Sequence, residues 1–314
     1  MTTEELIAAR RAEPWREALR KSKKNKERTD IPRVEMNELD AEYRSHTRLE
    51  EVNLGLTKEQ AMQEAQRCLD CPNPTCMQGC PVSINIPTFV KNIERGEFLE
   101  AARVLKETSA LPAVCGRVCP QEKQCESKCI HLKMGKPAVA IGYLERFAAD
   151  YERESGNISI PEVAEKNGIK IAVVGSGPAG LSFAGDMAKR GYDVTVFEAL
   201  HEIGGVLKYG IPEFRLPNKI VDVEIEGLRK MGVKFMTNCI VGKTISYDDL
   251  HADGFKGIFA ASGAGLPNFM NIPGENLVGV MSSNEYLTRV NLMDAANPDS
   301  DTCLLYTSDA ADEG

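Results

Sequence analysis

The alternation of hydrophobic and polar positions divides the chain into a polar N-terminal segment, a helical region and a region of alternating strands and helices. Residues 1–55 are polar, and Lys and Arg are dense between Arg16 and Arg28. Such a run is typical of a solvated helix or a loose arm, and less often of a basic surface that binds a partner. Asp30-Ile31-Pro32 ends any helix in this segment, because proline disfavours helical backbone at the residue before it.

Residues 56–154 have the hydrophobic spacing of short helices. Thr57-Lys58-Glu59-Gln60 is a capping-box pattern and predicts a helix that ends near Arg67. Two more helices are predicted between residues 86 and 108, with a break at Gly96, and another over residues 138–151. We therefore expect a small all-α domain. Because so small a domain has little core of its own, bound metal would supply much of its order.

After Gly168 the pattern changes to alternating strands and helices, which is typical of an α/β domain. Apolar runs predict strands from Ile169 to Val174 and from Asp193 to Phe197, with a helix from Leu181 to Arg190 between them. The predicted organisation is a polar arm over 1–55, a helical domain over 56–154, a linker over 155–168, a Rossmann-like domain over 169–302 and a tail over 303–314.

Composition and charge narrow the class of protein. The chain has 314 residues and a formal net charge of −8, which argues against a general nucleic-acid binder. No apolar run approaches the roughly 20 residues that a membrane span needs, and the charged N-terminus lacks the apolar core of a secretory signal. We therefore expect a cytoplasmic protein that binds neither nucleic acid nor membrane.

The cysteines give the strongest chemical signal. The chain has 10 cysteines, and eight of them lie between Cys68 and Cys129. Clustered thiols in a reducing compartment are more often metal ligands than disulfides. The first group is Cys68-x2-Cys71-x4-Cys76-x3-Cys80-Pro81, and the second is Cys115-x3-Cys119-Pro120 followed by Cys125-x3-Cys129. Three close cysteines and a remote one commonly hold a cubane cluster, so the spacing predicts two iron–sulfur clusters.

Two details refine the metal prediction. In two-cluster ferredoxins the cysteine before proline ligates the other cluster, and Cys80 and Cys119 suggest the same crossing. Zinc is the main alternative, but structural zinc sites favour repeated C-x2-C pairs, which only Cys68 and Cys71 match. Cys239 is expected to be a small core residue. The four histidines show no ligand spacing and are expected at the surface or in the core: His46, His131, His201 and His251.

The segment after the first α/β strand predicts a nucleotide site. Gly175-Ser176-Gly177-Pro178-Ala179-Gly180 lies between a strand and a helix, where glycines permit a tight turn and close approach to a pyrophosphate. Glu198 ends the second strand and would bind a ribose 2′-hydroxyl, repelling a 2′-phosphate, so FAD or NAD is expected and NADP is not. Gly204 to Leu207 and Phe259 to Gly263 would bring further backbone close to a cofactor.

Taken in order, the cysteine pattern, AVVGSGPAGL, VTVFEA, GGVLKYGIPEFRLP and ASGAGLP resemble the small subunit of NADPH-dependent glutamate synthase. They resemble more closely the large flavin subunit of NADH-dependent ferredoxin:NADP oxidoreductase, an electron-bifurcating enzyme. The N-terminal half of dihydropyrimidine dehydrogenase shares the pattern. The resemblance covers roughly residues 35–302, and implies a small all-α iron–sulfur domain followed by an incomplete α/β Rossmann-like FAD-binding domain.

The resemblance implies ligands for two 4Fe–4S clusters. One would be held by Cys68, Cys71, Cys76 and Cys129. The other would be held by Cys80, Cys119 and Cys125, with Glu145 as an oxygen ligand from a downstream helix. Cys115 would then lie beside that cluster or hold no metal. If Cys115 is the ligand instead, Glu145 is a residue of the helix surface.

The resemblance also implies an FAD site, formed by Gly175, Ser176, Gly177, Pro178, Ala179, Gly180, Glu198, Gly205, Leu207, Arg215, Val241 and Gly263. Arg215 would place a cation near the flavin or its phosphates, or would be an exposed loop residue. No side chain is expected to act as a nucleophile or as an acid–base catalyst, because the cofactors carry the chemistry.

The implied activity is transfer of electrons from NADPH through FAD and the two clusters to a partner subunit. That partner would be a glutamate synthase large subunit or a smaller flavoprotein that serves NAD and ferredoxin. Relatives continue with an NADPH-binding segment, so NADPH is expected only in the full-length protein, and this fragment is expected to be inactive. Residues 303–314 look like translated adapter sequence. The alternatives are an NAD-dependent dehydrogenase with a zinc module and a non-enzymatic, zinc-stabilised interaction protein.

Overall fold

The computed structural model describes residues 11–47, 49–295 and 300. The chain divides into two compact units, Met1–His46 with Val52–Pro161, and Thr47–Glu51 with Glu162–Gly314. The predicted tail over 303–314 lies outside the described residues.

The first unit consists of short helices and one short two-stranded antiparallel sheet. Its helices are α1 (Pro14–Ser22), α2 (Asn25–Asp30), α3 (Ala41–Ser45), α4 (Lys58–Gln66), α5 (Thr75–Gln78), α6 (Ile86–Glu94), α7 (Phe98–Lys106), α8 (Pro112–Val118), α9 (Ile130–Lys133) and α10 (Ile141–Ser155). Gln121–Lys123 and Glu126–Lys128 form single 3-10 turns, and β1 (Asn37–Glu38) pairs antiparallel with β2 (Asn53–Gly55).

The local helix signals in this unit are confirmed. Thr57 Oγ1 accepts a hydrogen bond from the Gln60 N–H at 3.2 Å, and Gln60 Oε1 accepts one from the Thr57 N–H at 2.8 Å, which forms the capping box at the start of α4. Gly96 separates α6 from α7 with φ +85°. The helix predicted over 138–151 begins later, at Ile141.

The hydrophobic core of the first unit is formed where α4, α6, α7 and α10 pack together. Phe98 of α7 contacts Phe147 and Tyr151 of α10 edge-on, with ring centroids 5.1 and 4.9 Å apart. Such aromatic pairs bury large areas in a preferred geometry. Cys125 belongs to the same core, and four more cysteines of the predicted metal sites pack against it: Cys68, Cys76, Cys80 and Cys129.

The interpretation of the N-terminal segment as a solvated arm is wrong for its two arginines at the ends of the basic run. Arg16 and Arg28 are each 1% exposed. Arg16 pairs with Asp70, and Arg28 pairs with Glu94 on α6. A buried guanidinium requires such a carboxylate partner, so these arginines pack within the first unit.

The second unit is a parallel α/β sheet. Its elements are β3 (Lys170–Val174), α11 (Pro178–Lys189), β4 (Asp193–Phe197), α12 (Val206–Tyr209), α13 (Asn218–Lys230), β5 (Lys234–Met236), α14 (Tyr247–Ala252), β6 (Phe255–Ala260) and α15 (Ser283–Leu292). The strand order is β5-β4-β3-β6, with all pairs parallel. The chain adds β4 and β5 on one side of β3 and β6 on the other, so β3 lies at a topological switch point. Ligands of open α/β sheets bind at the carboxyl ends of the strands at such a point.

The buried side chain of Arg67 should contribute strongly to the stability of the first unit. Arg67 follows α4 and donates hydrogen bonds to Glu64 Oε1 at 2.6 Å and to the Ala138 and Pro137 carbonyls. We expect Arg67→Met to lower the free energy of unfolding by about 3–5 kcal/mol, because it leaves the Glu64 carboxylate buried without its cation.

The matched control is Arg103→Met on α7, whose partners Glu100 and Glu107 are exposed. We expect that change to cost less than about 1 kcal/mol. Urea denaturation of the two variants measures the difference, and equal losses would contradict this account of Arg67.

Candidate functional site

Four cysteines of the first unit line one cavity. They are Cys68, Cys71, Cys76 and Cys129, and apolar side chains that include Ile86, Val90, Val139 and Ile141 complete the lining. Cys68 follows α4, Cys76 lies on α5, and Cys129 precedes α9. The chain thus brings a remote cysteine from the second sequence group to three from the first.

Burial controls the ionisation of these thiols. Burial, followed by the charges of Cys68 and Cys129, raises the pKa of Cys71 to about 11. Burial and the same two neighbours also raise the pKa of Cys76. Thiolates placed so close together in an apolar lining repel one another, and a cationic core between them removes that repulsion. The donor set therefore fits an iron–sulfide core.

A second group of thiols surrounds Glu145 of α10. Glu145 is 5% exposed and raises the pKa of Cys80 and Cys125 through its charge, in addition to the larger effect of burial; the pKa of Cys125 reaches about 12. Helices α8 and α10 cross closely at Gly116, where an added Cβ would lie 2.4 Å from the Arg146 nitrogen. That close crossing brings Cys115 of α8 next to Glu145.

The thiols of Cys115 and Cys119 form a hydrogen-bonded pair at the end of α8. A hydrogen bond from Cys115 lowers the pKa of Cys119 to about 7, and the same bond, with burial, raises the pKa of Cys115. The structure therefore places both candidates for the fourth ligand, Glu145 and Cys115, beside the second group. Glu145 interacts with Cys80 and Cys125, two of the predicted cysteine ligands of the second cluster. Cys115 interacts with the third, Cys119.

Among the described residues, no three His, Cys, Asp or Glu side chains converge to hold a single metal ion.

His131 is a residue of the first cavity that the sequence interpretation missed. It is 1% exposed, lines the cavity, and donates from Nε2 to the Arg67 carbonyl at 3.0 Å. Burial lowers its pKa, so the ring is neutral and Nδ1 carries a lone pair. In the sequence, only its position two residues after Cys129 could have indicated that His131 lines this cavity. Cys239 is half-buried in the second unit and packs near Ala172 and Phe197.

The glycine loop after β3 is shaped by close backbone contacts. Gly175 has φ +100°, and a Cβ there would lie 2.4 Å from the Ala261 carbonyl oxygen. A Cβ on Gly180 would lie 2.0 Å from the Gly175 oxygen, whereas one on Gly177 would meet no atom within 4 Å. Pro178 occupies the first turn of α11, with Ala179 after it. The loop is therefore closed on its inner side and open at Gly177, where a pyrophosphate could approach the helix N-terminus.

Glu198 is buried at the end of β4 and already organises this loop. Its Oε2 accepts hydrogen bonds from the Ser176 N–H at 2.8 Å and the Ser176 hydroxyl at 2.5 Å, and Oε1 accepts one from the Leu200 N–H at 2.9 Å. A carboxylate offers about four acceptor directions, so one remains for a ribose hydroxyl. The serine–glutamate link was not expected from the sequence.

The remaining predicted flavin residues have different surroundings. Gly205 has φ +54°, and its Cβ position lies 2.7 Å from Gly177 Cα, so the start of α12 approaches the glycine loop. Leu207 is buried, and Val241 packs against the core beside Phe197. Gly263 and Arg215 are exposed. Strand β6 ends at Ala260, so Ala261 to Gly263 follow it, and the roles of Gly263 and Arg215 in flavin binding stay predictions.

The fold and these sites define an iron–sulfur domain joined to an NAD(P)-binding Rossmann-like domain. Residues 44–157 match the family model for dihydropyrimidine dehydrogenase domain II, 4Fe–4S cluster, and residues 173–231 match the NAD(P)-binding Rossmann-like domain. The nucleotide site and the cysteine region thus each agree with an independent family description.

Curated relatives make the relationship specific. The chain is 39% identical over 224 residues to the NAD-dependent dihydropyrimidine dehydrogenase subunit PreT of Escherichia coli K12, which is 70% of this chain and 54% of that protein. It is 37% identical over 229 residues to the small chain of NADPH glutamate synthase of the same strain, covering 73% and 48%. The chain is therefore a homologue of both subunits, which confirms the resemblance of its motifs to glutamate synthase small subunits and to dihydropyrimidine dehydrogenase.

The chain spans about half the length of the curated relatives it matches. Among solved structures, FprA from Mycobacterium tuberculosis aligns over 39% of this chain and 29% of its own, with 24% identity and a TM-score of 0.36. Among the described residues, no helix is long and apolar enough to cross a bilayer.

The Cys115–Cys119 pair predicts a pH-dependent reactivity of the metal-free protein. Because its pKa is lowered to about 7, Cys119 is a thiolate above about pH 7, whereas Cys71 and Cys125 stay protonated up to about pH 11 and 12. We expect iodoacetamide to label Cys119 first, with a rate that is half-maximal near pH 7. Mass spectrometry of peptides labelled between pH 5 and 9 measures this.

Cys115→Ala is the matched variant, since it removes the hydrogen bond and should move the half-maximal pH toward the ordinary thiol value. An unchanged profile in that variant would show that Cys115 does not stabilise the Cys119 thiolate.

Proposed function

We propose that this chain is an electron-transfer subunit of an NAD(P)H-dependent oxidoreductase that uses FAD and two 4Fe–4S clusters. The observation that carries the proposal is the set of four cysteines around one apolar cavity, in a region that matches a 4Fe–4S family model. A second group of thiols with Glu145 in the same unit supports a second cluster.

The chain's own residues would bind and separate the cofactors. When bound, FAD exchanges hydride and the clusters exchange single electrons, which is chemistry that no protein side chain supplies. Cys68, Cys71, Cys76 and Cys129 would hold one cluster. Cys80, Cys119 and Cys125 would hold the other with Glu145, whose oxygen would be an unusual means of tuning its potential.

The second unit would hold FAD at the carboxyl ends of β3 and β4. The N-terminus of α11 and the open side of Gly177 suit a pyrophosphate, and the free acceptor direction of Glu198 suits a ribose 2′-hydroxyl. A carboxylate there repels a 2′-phosphate, so we propose that NADPH or NADH, as electron donor, binds elsewhere in the full-length protein.

The similarity to two kinds of subunit suggests the partner. A glutamate synthase large subunit fits the similarity to glutamate synthase small chains, and a smaller NAD or ferredoxin flavoprotein fits the bifurcating enzyme that the motifs resemble. The similarity to PreT favours a second candidate, a subunit that reduces pyrimidines. Co-purification from the native cell distinguishes these partners.

Electron paramagnetic resonance tests the two clusters. We expect the anaerobically purified chain, reduced with dithionite, to give signals that integrate to about two spins per chain. Glu145→Ala should alter one of the two signals, because it removes the proposed oxygen ligand.

Cys115→Ala is the comparison variant and should keep about two spins per chain, because it removes a hydrogen bond to Cys119 and not a ligand. Loss of about one spin per chain in the Cys115 variant alone would make Cys115 the fourth ligand, and the absence of any iron-based signal from the wild-type chain would contradict the proposal.

A pair of glycine variants tests the flavin site. Gly177→Ala should fold as the wild type, because its φ is −66° and its Cβ position is open, but the methyl group would occupy the approach of the pyrophosphate. We expect the Kd for FAD to rise at least about tenfold, measured by quenching of flavin fluorescence.

Gly180→Ala is the comparison, since its Cβ would collide with the Gly175 oxygen and lower both Tm and FAD binding. Unchanged FAD affinity in Gly177→Ala would show that the flavin does not use this loop.

A further inference from the structure

The loop between the first two cysteines contains a residue in an unusual backbone conformation. Asp70 lies between Cys68 and Cys71 with φ +50°, in the left-handed region that residues other than glycine seldom adopt. Such a conformation persists where the surrounding structure imposes it. The Asp70 side chain is completely buried, so its charge is balanced by protein groups and not by water.

Helix α1 supplies that balance from 54 residues away in sequence. Arg16, itself 1% exposed, donates to the Asp70 carboxylate from Nη2 at 2.5 Å and from Nε at 3.3 Å. Arg20 adds a third bond at 2.8 Å. A planar guanidinium that holds both carboxylate oxygens fixes orientation as well as charge.

The same arginine ties the loop to a wall of the first cavity. Arg16 Nη1 donates to Thr88 Oγ1 on α6 at 2.8 Å. On the same helix, Lys91 Nζ donates to the Cys68 carbonyl oxygen at 2.5 Å, and Ile86 and Val90 line the cavity. Both sides of the Cys68–Cys71 turn are therefore anchored to the helix that the two thiols face.

We propose that helix α1 is part of the first cluster site, with Arg16 as a positioning residue that holds Asp70 in the left-handed conformation required for Cys68 and Cys71 to face one cavity. This inference rests on the proposed function. The second group of thiols is carried by α8, α10 and the segments beside them, whereas the hydrogen bonds of Arg16 go to Asp70 and to Thr88 of α6. Loss of Arg16 should therefore affect one cluster and spare the other.

Three variants separate the conformation of the turn from the buried charge. Arg16→Met leaves the Asp70 carboxylate without its main partner. Arg16→Met/Asp70→Gly and Arg16→Met/Asp70→Val both remove that charge, but only glycine adopts positive φ without strain, and a β-branched residue resists it. Lys106→Met is the matched control, because it breaks another buried ion pair of the same unit, with Glu152.

The test measures iron and acid-labile sulfide per chain in full-length protein purified without oxygen, with the resonance signals of both clusters. We expect Arg16→Met and Arg16→Met/Asp70→Val to hold about half of the wild-type iron and to keep the signal of the second cluster. Arg16→Met/Asp70→Gly and Lys106→Met should hold the wild-type amount.

Equal iron in the two double variants would overturn the proposal, as would wild-type iron in Arg16→Met. If Arg16→Met does not accumulate as folded protein, the two double variants decide the question, because they differ only at position 70. A wild-type chain without iron would instead refute the proposed function before any variant is compared.

Discussion

Repulsion between buried thiolates is the constraint on which the first unit depends. Burial disfavours the ionisation of Cys68, Cys71 and Cys76, and the charges of neighbouring thiols disfavour it further. Four thiolates can share such a site only around a cationic core, so ligand binding and folding are coupled there. In the second group a buried carboxylate, Glu145, adds to the effect of burial in raising the pKa of Cys80 and Cys125, and the proposed second cluster would remove that repulsion.

Buried ion pairs bring together the segments that surround these cysteines. Arg16 joins the N-terminal segment to Asp70, Arg28 joins it to Glu94 of α6, and Arg67 joins the end of α4 to the carbonyls before α10. Each pair links residues that are distant in sequence or caps a loop that bears a cysteine. Removing one partner from such a pair leaves a charge buried, so the arrangement strongly favours one loop geometry.

Local patterns could be predicted from the sequence because their causes are local. The Thr57 capping box, the break at Gly96 and the glycine loop after β3 each depend on residues within one turn or one strand–helix junction. The burial of Arg16 could not be predicted, since a run of charges does not show that a carboxylate lies 54 residues away. The bonds from Ser176 to Glu198 and the place of His131 in the first cavity likewise depend on tertiary contacts.

Metal analysis of the wild-type chain tests the central claim most directly. Iron, acid-labile sulfide and zinc are measured together in protein purified without oxygen. The account predicts about eight irons and eight sulfides per chain with negligible zinc. Zinc as the dominant metal, or iron without inorganic sulfide, would contradict it.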